Sequence, residues 1–120
     1  STGCNLAAGS GVWTCTSDRN QKQDFETVDG DEVLTKLAAM PIDRWSYKSE
    51  PGVRHIGPTA QDFRAAFGLG VDDISIGHVD LSGVSLRAIQ ALDVRTRDEV
   101  SRLREEIDAL RALLAQHRDR

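Results

Sequence analysis

The chain reads as an α+β protein, a small mixed globular part followed by a long C-terminal helix that self-associates as a coiled coil. Three observations predict this. Up to about residue 81, short strand-like and helix-like segments alternate between turn signals. From about Ser82 the chain is mostly charged helix, and its distal half carries Val100, Leu103, Ile107, Leu110 and Leu114 at spacings 3, 4, 3, 4. Aromatic residues are few, 5% of the chain, so the core is thin and stability leans on association.

Residues 1–16 are small, Gly-rich and uncharged, with Leu6, Val12 and Trp13 as anchors and Gly9-Ser10-Gly11 as a turn signal. They read as a β-hairpin or the end of an upstream β-structure, and the chain as a piece of a longer protein. Cys4 and Cys15 flank the loop. A disulfide across a hairpin and two free thiols are both open on spacing alone, because pairing depends on geometry. Ser17 to Gln23 is a polar loop. Phe25 to Val28 is expected as a short strand. Asp29-Gly30-Asp31-Glu32 opens a helix with an acidic first turn, Val33, Leu34, Leu37 and Met40 share its face, and Pro41 stops it.

Ile42 to Lys48 is expected as a strand with Trp45 and Tyr47 on one side. Ser49-Glu50-Pro51-Gly52 turns the chain toward a hairpin partner at Val53 to Gly57. Thr59 caps a helix over Ala60 to Phe67, with Asp62 in the capping-box place and Gly68 as its end. Ile74 to Val79 is expected as a further strand. The organisation is therefore 1–16 as the end of an upstream β-rich part, 17–81 as the globular part and 82–120 as the long helix.

In the distal helix Val100, Ile107 and Leu114 take heptad position a, and Leu103 and Leu110 take d. Glu99 and Glu106 fall at g, and Arg104 and Arg111 at the e positions that follow. Opposite charges there favour parallel helices in register. β-branched residues at a with Leu at d nominally favour two strands. Backwards, the seam meets Thr96 and Asp93 and is expected to break, with Leu86, Ile89 and Leu92 turned to the globular part. The competing reading is an amphipathic helix packed on its own domain, but a helix charged on three sides has little to pack against.

Composition excludes several functions. Apolar residues are 39%, and the ten glycines bring the chain near the usual share of about 45–50%, so disorder is not indicated. The net charge of −4 argues against a nucleic-acid partner, including a DNA-binding regulator built on the helix–turn–helix-like stretch 59–92. The arginines of the tail are interleaved with Asp and Glu and read as a solvated face. No apolar run is long enough to span a membrane, and the opening residues lack a basic start and apolar run of a signal peptide. Asp72, Asp73, His78 and Asp80 lack the spacing of a calcium loop. No metal and no cofactor is expected.

The chemistry-bearing stretch is Ser17-Asp18-Arg19-Asn20-Gln21-Lys22. A serine hydroxyl becomes a useful nucleophile when a base takes its proton, and a lysine amine withdrawn from water can be that base. The carbonyl just before the serine, that of Thr16, is within the chain's own reach. Attack there would turn the Thr16–Ser17 amide into an ester that water cleaves, with Asn20 or nearby amides steadying the oxyanion. The same spacing also occurs in ordinary polar loops. His55 and Gln61 flank a strand-to-helix turn from which they can reach another loop, although a lone His is more often structural.

Five segments in order, Gly11-Val12-Trp13, Ser17 to Lys22, Trp45-Ser46-Tyr47-Lys48, Arg54 to Phe63 and Ala88-Ile89-Gln90-Ala91-Leu92, carry a resemblance. Together they resemble the C-terminal intramolecular chaperone domain of phage tailspikes and tail fibres, the endosialidase type. The resemblance implies a homotrimer with a triple coiled coil that holds an upstream β-rich fibre of the same chain in register while it folds. It implies self-cleavage between Thr16 and Ser17, with Ser17 as nucleophile and Lys22 as base, and a supporting place for His55 and Gln61. It also implies a virion tail fibre, or a prophage-encoded counterpart, made in the bacterial cytoplasm, with the chaperone part released after cleavage. The alternative within this resemblance is a trimerisation and folding module that does not cleave. Two features depart from the family: heptad residues that favour two strands, and the cysteine pair.

Overall fold

The computed structural model describes residues 1–119. Its elements run β1 (Cys4–Leu6), β2 (Trp13–Cys15), a 3₁₀ turn (Arg19–Gln21), α1 (Gly30–Ala39), β3 (Asp43–Trp45), β4 (His55–Gly57), α2 (Ala60–Phe67) and α3 (His78–Arg118). The strands form two separate antiparallel hairpins, and the class is α+β. α3 has 41 residues and dominates the 76 Å long axis of the molecule.

The helices start and stop where the local chemistry directs them. Asp29 accepts hydrogen bonds from the Asp31 and Glu32 amides and so caps α1. Thr59 Oγ1 accepts from the Asp62 amide at the start of α2. Gly68 closes α2 with φ 64°, a left-handed conformation that glycine adopts without Cβ strain.

The core lies where α1, α2 and the first turns of α3 meet. Val33, Met40, Phe63, Val84 and Ala88 are buried there, with Leu34, Leu37, Ala66, Phe67, Ile76 and Leu81 packed around them. α1 crosses α3 closely. A Cβ placed on Gly30 would sit 2.6 Å from the Ala91 Cβ, so the crossing tolerates only small residues at that point.

That closeness corrects one expectation. Leu86, Ile89 and Leu92 do not face the globular part; they are 64%, 64% and 53% exposed. Val84, Ala88 and Ala91 take the contact instead. Small side chains let the helix axes approach, and larger ones are turned outward.

Two expected strands are absent. Phe25 to Val28 forms no ladder, and Asp24 before it bends the chain with φ 55°. Val28 instead offers its carbonyl to the Arg87 guanidinium at 3.0 Å. Ile74 to Val79 is pre-empted by Asp72, whose Oδ1 accepts from the Ile74 amide, the Ser75 amide and the Ser75 hydroxyl. Such a side chain offers the backbone an alternative to a ladder. Arg64 fastens the same loop by donating to the Gly70 and Asp72 carbonyls. α3 then starts at His78, four residues before the expected Ser82.

The N-terminal hairpin is stapled. Cys4 and Cys15 face each other in the β1–β2 register and are joined as a disulfide, which resolves the alternative left open by spacing. Neither hairpin packs its strands on a helix.

Candidate functional site

The segment that follows β2 is built by short-range bonds. The Thr16 amide donates to the Gly3 carbonyl at 2.8 Å, so the hairpin ladder extends to the residue before Ser17. Asp18 then caps the 3₁₀ turn: its Oδ1 accepts from the Asn20 amide at 3.0 Å and from Asn20 Nδ2 at 3.1 Å. The Lys22 amide donates to the Arg19 carbonyl, and the Arg19 guanidinium lies 5.5 Å from the centre of the Phe25 ring.

This turn folds Lys22 back on Ser17. Lys22 Nζ donates to Ser17 Oγ at 2.6 Å, within the reach that proton transfer between two such groups requires. The pair is exposed in the single chain. Asp18 was not among the residues singled out from sequence, yet it shapes the turn that brings the two together. Its signal was legible as an Asp two residues before an Asn in a polar loop, the pattern of an Asx turn.

Of the other sequence-selected residues, Asn20 shares this turn and the rest lie elsewhere. Asn20 gives one side-chain hydrogen to Asp18. His55 pairs with Trp45 across β3 and β4, and its ring lies 5.0 Å from Trp45 and 5.3 Å from Tyr47, which are themselves 4.8 Å apart. His55 Nε2 is enclosed by this cluster without a hydrogen-bond partner. Trp45 Nε1 donates to the Gly57 carbonyl and fixes the cluster to the hairpin. Gln61 sits in the first turn of α2, exposed, on a shallow groove with Arg64, Ala65, Asp72 and Asp73. Among the described residues no hydrogen bond joins His55 or Gln61 to the Ser17–Lys22 pair.

The heptad residues stand along a free face of α3. Val100, Leu103 and Ile107 are 41–46% exposed, and Leu110 and Leu114 about 60%. Within the chain Arg102 pairs with Glu99, and Arg97 with Asp93. Among the described residues no group of His, Cys, Asp and Glu is arranged to hold a metal, and no helix is long and apolar enough to cross a membrane.

No curated protein and no solved structure is significantly similar to the chain. A family model described as chaperone of endosialidase matches residues 17–71. The match begins at Ser17 itself and takes in Lys22, the β3–β4 hairpin with His55, and Gln61; β1, β2 and α3 lie outside it. Over this segment, somewhat less than half of its length, the chain is similar to the chaperone-of-endosialidase family.

Proposed function

We propose that the chain is an intramolecular chaperone that associates as a homotrimer through α3, assists the folding of an upstream β-rich tailspike or tail-fibre part, and then releases itself between Thr16 and Ser17. The observation that carries the reading is the 2.6 Å contact of Lys22 Nζ with Ser17 Oγ, at the first residue of the family match.

The chemistry follows from that contact. Lys22, as the neutral amine, takes the Ser17 hydroxyl proton while Oγ attacks the Thr16 carbonyl carbon. The tetrahedral intermediate collapses with loss of the Ser17 nitrogen, to which the lysine returns the proton. Thr16 is now an ester on Ser17 Oγ. Water hydrolyses the ester, leaving a Thr16 carboxylate and a Ser17 residue with a free amine and hydroxyl. Both side chains are exposed in one chain. In the proposed order, association comes first and cleavage follows.

The order suits the task. Long β-fibres depend on non-local pairing and nucleate slowly. Helices that meet first raise the effective concentration of the chains to be joined. Loss of the chaperone afterwards leaves the fibre kinetically trapped in its folded form.

Intact-mass measurement on a longer chain carrying its upstream part tests this. The reading expects a fragment beginning at Ser17, and full-length chain only for Ser17→Ala and for Lys22→Ala. A Ser17→Ala chain cut as fast as the unchanged one overturns the dyad.

A further inference from the structure

α3 divides its surface by heptad position. With Val100 at a, the same phase runs back without a slip through Thr96 (d), Asp93 (a), Ile89 (d) and Leu86 (a). The buried and half-buried residues of α3, and its side-chain hydrogen bonds to the rest of the chain, use other positions. Leu81, Ala88 and Arg95 are at c, Val84 and Ala91 at f, and Arg87 at b. The globular body therefore grips the b, c and f side. The a and d side of the same stretch is left open, with Leu86 and Ile89 each 64% exposed.

The geometry points to a second copy of this chain docking along Leu86 and Ile89 as well as along Val100 to Leu114, so that the interchain seam has two apolar blocks with Asp93 and Thr96 as a polar layer between them. The occupant is argued from charge and continuity. Glu99 and Glu106 at g face Arg104 and Arg111 at e of a parallel copy, which selects this chain as its own partner. α3 is one unbroken helix from His78 to Arg118, so copies paired at the distal block bring their Leu86 and Ile89 to the same axis. A heptad repeat held over this length supports the gentle supercoil that keeps the seam facing the partner.

The polar layer has a role in this arrangement. A shifted register would set Asp93 against an apolar layer, so a polar residue at a fixes register at a cost in stability. Arg97 holds the Asp93 carboxylate at 3.1 Å from the same helix, which partly offsets its charge where copies meet. The two blocks reinforce one another, since two heptads alone are marginal as an isolated helix pairing.

This inference rests on the association proposed above, and its test separates the two. Sedimentation equilibrium is run on the full chain, on Leu86→Gln/Ile89→Gln, on Leu103→Gln/Leu110→Gln and on Asp93→Val. The first double variant removes side chains exposed in the single chain, so its far-ultraviolet spectrum should match that of the unchanged protein. Its association should weaken about tenfold or more, and Asp93→Val should tighten it. As a check independent of folding, Ile89→Cys should oxidise to interchain-linked species while Asp98→Cys, at f, should not.

If the upstream variant associates like the unchanged chain while the distal variant does not, the upstream block is refuted and the association stands. Equal cross-linking at positions 89 and 98 also refutes it. A chain that is monomeric in every form refutes both.

Discussion

The helical body and the parts that project from it differ in how they satisfy their apolar residues. In the body, α1, α2 and the start of α3 close a core around Phe63, which is 2% exposed. In the N-terminal hairpin and the distal half of α3, large apolar side chains stay in water: Trp13 is 66% exposed and Leu114 61%. The body completes itself with its own residues. The projections carry the Ser17–Lys22 contact at one end and a repeating apolar seam at the other, and among the described residues neither has an intrachain surface to cover it. The difference separates what one chain buries by itself from what the proposed association would have to cover.

The sharpest way to break that contrast is at the core. Phe63→Ala should lower the stability of the body by about 3–5 kcal/mol, read as a fall in the denaturation midpoint. A loss near zero would mean that the three helices do not depend on this core. Next in size is the hairpin staple. Cys4→Ser/Cys15→Ser removes a loop closure worth about 3 kcal/mol by chain entropy, but the effect should stay local. Amide exchange should accelerate over β1 and β2 and remain unchanged in α1 and α2. A global loss would show that the hairpin is part of the body after all.

Gly30→Ala follows. The added methyl meets Ala91 at 2.6 Å and the Arg87 guanidinium at 2.9 Å, so the crossing of α1 and α3 should loosen at about 1–3 kcal/mol. Gly83→Ala, with nothing within 4 Å, should not destabilise, because alanine is the better helix former. Equal behaviour of the two would contradict the close crossing.

The smallest effect concerns the loop after α2. The Ser75 hydroxyl, then the Ile74 amide, hold the Asp72 carboxyl below its ordinary range. A lowered carboxyl favours the folded state above its unfolded range and loses that contribution as the pH falls through the lowered one. The protection factors of the Ile74 and Ser75 amides, corrected for intrinsic exchange, should therefore fall on acidification, and Asp72→Asn should flatten the response.

Much of this architecture was legible in the sequence because it rests on local chemistry. Asp29, Thr59 and Gly68 mark helix ends by bonds made within a few residues, and the structure places the ends there. The β3–β4 hairpin follows from the turn at Pro51-Gly52, although only three residues of each expected strand pair. The contact of Ser17 with Lys22 agrees with their spacing, and the Asp18 turn that produces it is also local.

What depended on distant partners was not legible. Phe25 to Val28 looked like a strand but finds no ladder among the described residues. Ile74 to Val79 looked like one until Asp72 captured its amides. The outward turn of Leu86 and Ile89 reflects how closely α1 approaches, which depends on Gly30 and Ala91 meeting across 61 residues of sequence. The relation of His55 and Gln61 to the dyad is likewise beyond sequence. In one chain they sit in other parts of the fold, His55 beneath Trp45 and Tyr47 and Gln61 at the start of α2.

Sedimentation of the full chain across a wide concentration range tests the central claim most directly, since everything asked of the projecting helix requires copies to meet along it. The account predicts a three-chain mass that persists on dilution into the micromolar range. A stable, helical species of single-chain mass at the highest concentration would contradict it.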